Sequence, residues 1–193
     1  MSTTIHRPGA RRKLASSFSR VLPPALILAL LVVLAGLRAG LGPLGAAALL
    51  AGIVGVPGLL YKMSKRPFQR WGLPDRLRIK LLAVLTFISA ATCFLLPLEA
   101  PVPVTVAAIF LGNAGLVFFR RWHNVSAHVS VLTFAVLWVV AIYGAEWAWL
   151  LILSPVMIFS RVSLREHTWQ EALSGASLGL ATFCCFLVAM TWS

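Results

Sequence analysis

Acid is what this sequence has least of. Five Asp and Glu stand among 193 residues, and charged residues of both signs make up only 11% of the chain. A water-soluble domain carries about a quarter charged residues and about half apolar ones. Here 60% are hydrophobic, so a solvated globular domain is excluded in favour of an integral membrane domain. Cysteine is scarce as well. Cys93, Cys184 and Cys185 all sit inside apolar runs, adjacent cysteines rarely bridge each other, and no metal-ligand spacing links the three. They read as small packed residues. A cleavage site is also missing. The opening "MSTTIHRPGARRKLASSFSR" is basic like the front of a signal peptide, but the apolar run 21–41 is too long for a cleaved core and no small-x-small site closes it.

What the chain has instead is apolar length. A helix needs ~20 mostly apolar residues to cross ~30 Å of hydrocarbon. Seven segments approach that length, at about 21–41, 43–61, 79–98, 102–119, 125–143, 147–162 and 172–192. The expected fold is all-α, a polytopic transmembrane helix bundle of six to seven spans. A basic cytoplasmic N-terminal segment, 1–20, would precede a single transmembrane domain, 21–193. The stretch 62–78, "KMSKRPFQRWGLPDRLR", holds Pro67, Gly72 and Pro74 among dense charge and reads as an exposed loop. The sixth segment, "WAWLLILSPVMIFS", is short and contains Pro155; it is expected to be tilted, kinked or buried among the others.

The charge that is present is one-sided. Seventeen Lys and Arg give a formal net charge of +12. On a soluble protein that would point to nucleic acid, but no motif of interleaved aromatic and basic residues accompanies it. Five basic residues lie in the first twenty positions and seven between Lys62 and Lys80, beside spans. That placement sets orientation and attracts anionic lipids. With the N-terminus in the cytoplasm and seven crossings, sixteen of the seventeen fall inside, leaving Arg38, Glu99 and Glu146 in outer loops. The expected location is the inner membrane. The clusters at 120–128 and 160–171 share a face because two segments separate them. Trp147, Trp149 and Trp192 fall at expected outer ends, and Trp71, Trp122 and Trp169 near inner ones, as an aromatic belt. Gly175 with Gly179, and Gly36 with Gly40, have small-xxx-small spacing suited to close helix packing within the chain. The "NVS" at 124–126 matches a glycosylation acceptor, but it abuts a span on the inner face and is discounted.

Charged groups at the membrane are expensive, so those gathered on the inner face call for a reason. Segment four ends in Arg120 and Arg121. Segment five begins "HNVSAH", with His123, Ser126 and His128. Segment six ends at Ser160 and Arg161. His167 precedes segment seven, and Glu171 follows it at i+4. That spacing puts the imidazole and the carboxylate on one helix face. A carboxylate there fixes the tautomer and leaves the other ring nitrogen as nucleophile or base. Arginine offers a permanently charged fork suited to phosphate oxygens. Helix N-termini favour anions, and a second histidine can protonate a leaving oxygen. Together these residues describe a phosphoryl-transfer site with a histidine nucleophile. Taken singly, each has a plainer reading: the arginines as anchors with snorkelling stems, His128 as a helix-start histidine bound to a backbone carbonyl. A zinc site from His123, His128 and His167 is disfavoured, because the gap of five suits neither a helical i, i+4 pair nor HExxH.

At these residues the chain resembles the type-2 phosphatidic acid phosphatase superfamily, which includes the vanadium haloperoxidases. That superfamily has the motifs K-x6-R-P, P-S-G-H and S-R-x5-H-x3-D. "SRVSLREHTWQE" supplies the third as Ser160, Arg161, His167 and Glu171, with Glu in place of Asp. "VSAH" keeps Ser126 and His128 of the second, with Val125 for Pro and Ala127 for Gly. "NAGLVFFRR" keeps Arg120 of the first, with Asn113 for Lys and Arg121 for Pro. A degenerate first motif beside His167, Thr168 and Gln170 resembles a prokaryotic branch. The resemblance covers roughly 113–185, with a phosphatase-like core at about 79–192, and says little about the first hundred residues. It implies that His167 attacks phosphorus, that Glu171 orients it and that His128 protonates the leaving alcohol. Arg120, Arg161 and Ser126 would hold the phosphate oxygens, with Arg121 or His123 standing in for the missing lysine. No metal or other cofactor is implied.

The function expected is a membrane lipid-phosphate phosphatase with its site at the cytoplasmic face. Its substrate would have a buried tail and an interfacial phosphate: a prenyl phosphate or diphosphate, phosphatidic acid, or phosphatidylglycerol phosphate. A lipid phosphotransferase on the same site, and a non-catalytic membrane scaffold or transporter component, are the alternatives.

Overall fold

The computed structural model describes residues 23–192, so the basic segment 1–20 lies outside the described residues. Among those described there is no strand. The helices are α1 (Pro24–Arg38), α2 (Pro43–Leu50), α3 (Val56–Met63), α4 (Lys65–Arg70), α5 (Asp75–Leu95), α6 (Val102–Phe119), α7 (Ala127–Tyr143), α8 (Leu153–Ser163) and α9 (Trp169–Met190). A π-helical turn, Ala51–Gly55, joins α2 to α3, and a 3-10 segment, Ala145–Ile152, leads into α8.

Glycine and proline set the boundaries. The end of α1 is a left-handed turn at Gly40 (φ 76), where Leu41 N–H reaches Gly36 O at 3.0 Å and Gly40 N–H reaches Leu37 O at 3.2 Å. This is the two-bond Schellman closure. Gly40 is therefore a helix stop, not the packing partner of Gly36 that their spacing implied. Gly36 alone packs closely: a Cβ there would lie 3.3 Å from Leu49 Cδ2 and 3.5 Å from Ala46. The helix beginning at Pro43 widens into its π turn directly before Pro57, whose ring would clash with the carbonyl four residues back and has no N–H to offer it. Leu96 takes extended backbone (φ −87, ψ 148) ahead of Pro97 and ends α5.

The stretch 62–78, expected as a loop, is mostly helical. α3 and α4 run on through Arg70, and only residues 71–74 turn, around Gly72 (φ 64). The two prolines do not break it: Pro67 sits in the first turn of α4, where a missing N–H costs little, and Pro74 stands just before α5. The sixth apolar segment is neither buried nor a single kinked helix. It is 3-10 through Ile152 and becomes α-helical with Pro155 in the first turn of α8, the position that tolerates proline.

Four helices are long and apolar enough to cross a membrane: Pro43–Arg70, Val102–Phe119, Ala145–Ser163 and Trp169–Met190. This is a membrane-embedded, all-helical protein. Shorter apolar helices occupy Pro24–Arg38, Ala83–Leu95 and Ala127–Tyr143. At 1.5 Å per residue, the 15 residues of α1 reach about 22 Å, less than a ~30 Å hydrocarbon layer, while the 17 of α7 stand at the lower end of spanning lengths. The charged first turns of α5 leave only its second half apolar. Tryptophans 71, 122, 149, 169 and 192 are exposed and stand at or beyond helix ends, whereas Trp138, within α7, is fully buried.

The chain forms two compact units. In the unit made of Leu28–Val117 with 182–192, the core joins Ala90, Cys93 and Val106 to Leu49, Ile53, Leu98 and Phe110, and the Phe87 and Phe110 rings meet at 5.5 Å. In the unit containing Phe118–Ala181, α7 is buried along most of its length, including Val129, Ser130, Leu132, Thr133 and Phe134. Thr133 and Ser154 share a 2.6 Å hydroxyl hydrogen bond between α7 and the following helix, a polar tie of the kind membrane helices use. α9 lies directly against α7. A Cβ on Gly175 would stand 2.6 Å from Ser126 O and 3.3 Å from Val129 Cβ, and one on Gly179 would overlap Ser130 O and stand 2.9 Å from Thr133 Cβ. The small-xxx-small pair therefore works within the chain.

Because backbone oxygens, not flexible side-chain ends, fill the space at those glycines, neither can accept even a methyl group without a helix shift. Gly175→Ala and Gly179→Ala are each expected to destabilise the protein by about 1–3 kcal/mol, read as a fall in the midpoint of thermal unfolding in detergent. An equivalent change at Gly52, which has open space around it, should leave the midpoint where it is or raise it.

Candidate functional site

The site is assembled at one end of the unit Phe118–Ala181, from three chain turns. The first follows α6. Arg121 and Trp122 N–H groups reach Phe118 O and Phe119 O at 3.3 and 3.0 Å, closing a tight turn over residues 119–123. Val125 is then buried, and Ser126 takes extended backbone (φ −74, ψ 107) as the N-cap of α7. A serine in that position usually spends its hydroxyl on the free helix N–H groups. Ser126 does not: its Oγ makes no capping bond, is buried, and has no hydrogen-bond partner among the described residues. His128 follows in the first turn of α7, half-buried.

The second turn ends α8. Arg165 N–H reaches Val162 O at 2.9 Å and Glu166 N–H reaches Arg161 O at 3.1 Å, again a Schellman closure. Arg165 holds the left-handed position (φ 57) that glycine usually fills. The turn folds the next residues back onto the last turn of α8. Glu166 pairs its carboxylate with the Arg161 guanidinium, whose side chain is 12% exposed, and His167 N–H approaches Arg161 O at 3.4 Å.

The third turn starts α9 with a capping box. Thr168 Oγ1 accepts from Glu171 N–H at 3.2 Å, and Glu171 Oε2 accepts from Thr168 N–H at 2.8 Å. That same Oε2 stands 3.3 Å from His167 Nδ1. The pair makes no hydrogen bond, and the same oxygen accepts from the Thr168 amide. The contact is an electrostatic pairing at the edge of the ring. Glu171 thus has two tasks: it caps α9 and it faces the imidazole.

The three turns meet. Ser126 N–H donates to Glu171 O at 3.3 Å, which ties the start of α7 to the start of α9 beside the Gly175 contact. His128 lies within the electrostatic reach of Arg161, Glu166 and His167. Of the residues expected at the site, Ser126, His128, Arg161, His167 and Glu171 are brought together. Arg120, Arg121 and His123 are exposed in the turn after α6, with the Arg121 guanidinium 5.6 Å from the Trp122 ring centre. No side-chain hydrogen bond or ion pair joins those three to the cluster among the described residues. Asn113, where the resemblance places a lysine, is half-buried in α6.

Two residues of the cluster were not anticipated. Thr168 has a sequence signature, Thr-x-x-Glu ahead of an apolar run, that marks a helix start. Glu166 has none, because its distance of five residues from Arg161 is not a helical pairing and depends on the left-handed turn between them. Chemically, the cluster offers an imidazole with one nitrogen facing a carboxylate and the other available, a second imidazole, a guanidinium, and unpaired N–H groups at the start of α7. That is a set suited to an anion and to proton transfer. Comparison with known proteins returns no match, whether by family model, by curated sequence or by solved structure.

The two turns around His167 make opposite predictions for stability. Thr168→Ala removes the cap and is expected to cost about 1 kcal/mol. Arg165→Gly places at φ 57 the residue that tolerates it, and is expected to stabilise by roughly 0.5–1 kcal/mol. Thermal unfolding of both variants in detergent checks the pair; a stability loss in Arg165→Gly would contradict the left-handed turn.

Proposed function

We propose that the chain is an integral-membrane phosphatase of the type-2 phosphatidic acid phosphatase kind. It would hydrolyse the phosphate monoester or diphosphate of a lipid through a phosphohistidine on His167. The observation that supports this reading best is the junction of the three turns: Ser126 N–H bonds Glu171 O at the start of α7, and Glu171 stands at the Nδ1 side of His167. A lone capping or anchoring role for each residue does not explain why two imidazoles and a largely buried guanidinium gather at one end of a helical unit.

The chemistry proceeds in two displacements. His167 Nε2 attacks phosphorus while the bond to the lipid oxygen breaks; that oxygen keeps the electron pair and takes a proton from the His128 imidazolium. Glu171 faces the Nδ1 proton as charge develops on the His167 ring. Water then attacks the phosphohistidine, giving its proton to His128 as the phosphorus–nitrogen bond breaks. This restores both histidines and releases phosphate. Arg161 holds the phosphoryl oxygens through both steps, where charge rises most. Ser126 Oγ and the α7 N–H groups complete the cradle. Arg120, Arg121 and His123 are the flanking donors that a bound phosphate would have to draw in.

A substrate with its tail in the bilayer and its phosphate at the interface fits a site formed at helix ends. Prenyl phosphates, phosphatidic acid and phosphatidylglycerol phosphate belong to that class. With six to seven crossings, the positive-inside pattern of the loops would put the site's opening at the cytoplasmic face of the inner membrane, with anionic lipids around the basic segments.

Purified protein is expected to release phosphate from one or more of these lipids, and His167→Ala to lower the rate at least ~10³-fold, as loss of a nucleophile does. His128→Ala should lower it ~10²–10⁴-fold. Equal rates in wild type and His167→Ala would end the proposal. Transfer of phosphate to an added lipid alcohol, in place of water, would make the enzyme a transferase on the same site. Orientation is tested separately in a cysteine-free background. A cysteine at exposed position 124 should be closed to impermeant reagents in intact cells, while one at position 99 should be open.

A further inference from the structure

The guanidinium meant for phosphate is already occupied. The carboxylate of Glu166 sits on Arg161, and its charge is also felt by His128. It therefore stands where a phosphoryl group held by the Arg161 fork would stand. Burial agrees with this: Ser126 Oγ, Arg161 Nε and His167 Nδ1 have almost no accessible surface, so the interior of the cradle is shut in this state. Glu166 itself is half-exposed, with 46% of its side chain open, and its backbone is the last residue of the left-handed turn. It can swing away from Arg161 without disturbing the core.

We propose that Glu166 is an internal anion that plugs the phosphate position and is displaced by substrate. This rests on the phosphatase reading of the site. A ligand must out-compete a tethered carboxylate for a fork of donors. A terminal phosphate, with two negative charges and three oxygens, does so; a singly charged phosphodiester, such as an ordinary bilayer phospholipid, does not. Glu166 thereby acts as a specificity device: it keeps the abundant headgroups around the protein off Arg161 and admits lipids ending in a phosphate. Such selection by a built-in competitor is a difference of affinities, obtained at some expense in absolute affinity.

The test uses the full chain in detergent or in vesicles of zwitterionic lipid. Inorganic phosphate binding is measured directly by calorimetry, alongside KM and kcat for a lipid phosphate and inhibition by an anionic phosphodiester lipid. Glu166→Gln keeps the side chain's shape and removes the charge. It is expected to tighten phosphate binding and to lower KM about three- to tenfold, to leave kcat within about twofold, and to make the phosphodiester a measurable inhibitor. Arg161→Ala in the same background should abolish the gain. Glu166→Asp, one methylene shorter, should fall between wild type and Glu166→Gln, and provides a charge-retaining check if the neutral variant folds poorly. Weaker phosphate binding, or a matched fall in kcat and thermal stability in Glu166→Gln, would overturn the plug and leave Glu166 a structural partner of Arg161. Failure of every variant, wild type included, to bind or release phosphate would overturn both the plug and the phosphatase reading.

Discussion

One helix crossing holds the site in place: α9 laid against the first turns of α7, with glycines on the α9 side of the contact. Gly175 admits the Ser126 carbonyl and Gly179 the Ser130 carbonyl. The Ser126 amide then bonds to Glu171 O across the same gap. In hydrocarbon there is no hydrophobic force to press two helices together, so contact of this closeness comes from backbone packing and polar ties. Spread the crossing by the width of one methyl group, and the pair Ser126–His128 moves away from the pair His167–Glu171. Everything chemical in the unit depends on that separation.

The end of α8 contributes a different constraint. A left-handed residue is needed to turn the chain back within four positions, and the chain uses Arg165 where glycine would be cheaper. The reversal carries Glu166 and His167 onto Arg161 and hands the chain to a capping box at Thr168. The box then fixes the rotamer of Glu171, whose Oε2 serves the helix terminus and the imidazole at once. Local strain, helix capping and site geometry are therefore one piece of structure. A variant designed to improve any of them in isolation alters the others.

Much of the candidate site was visible in residue order. Ser160, Arg161, His167 and Glu171 stand at spacings set by helix periodicity and by one short turn, and Ser126 with His128 lies at a helix start. What residue order left open was which of the surrounding cations join them. Arg161 belonged to the closely matched motif, Arg120 to a degenerate one, and Arg121 and His123 were only stand-ins for a missing lysine. The last three end up exposed because the turn after α6 points outward and Arg121 finds the Trp122 ring. Nor could order alone reveal that the Ser126 hydroxyl is buried and makes no cap bond.

By itself, the sequence pointed to an all-helical membrane protein, since its recurrent apolar runs approach the ~20 residues of a spanning helix, about twice the length of a barrel strand. It also determined that ionisable residues gather at the ends of a few segments. Only the tertiary structure decided where each apolar run is helical, because proline, glycine and charged first turns bound α1, α5 and α7 in ways a hydropathy count does not register. The tertiary structure also paired Arg161 with Glu166. That contact spans a left-handed turn, and a turn of that hand at a non-glycine residue is stabilised by its surroundings, not by the residue that adopts it.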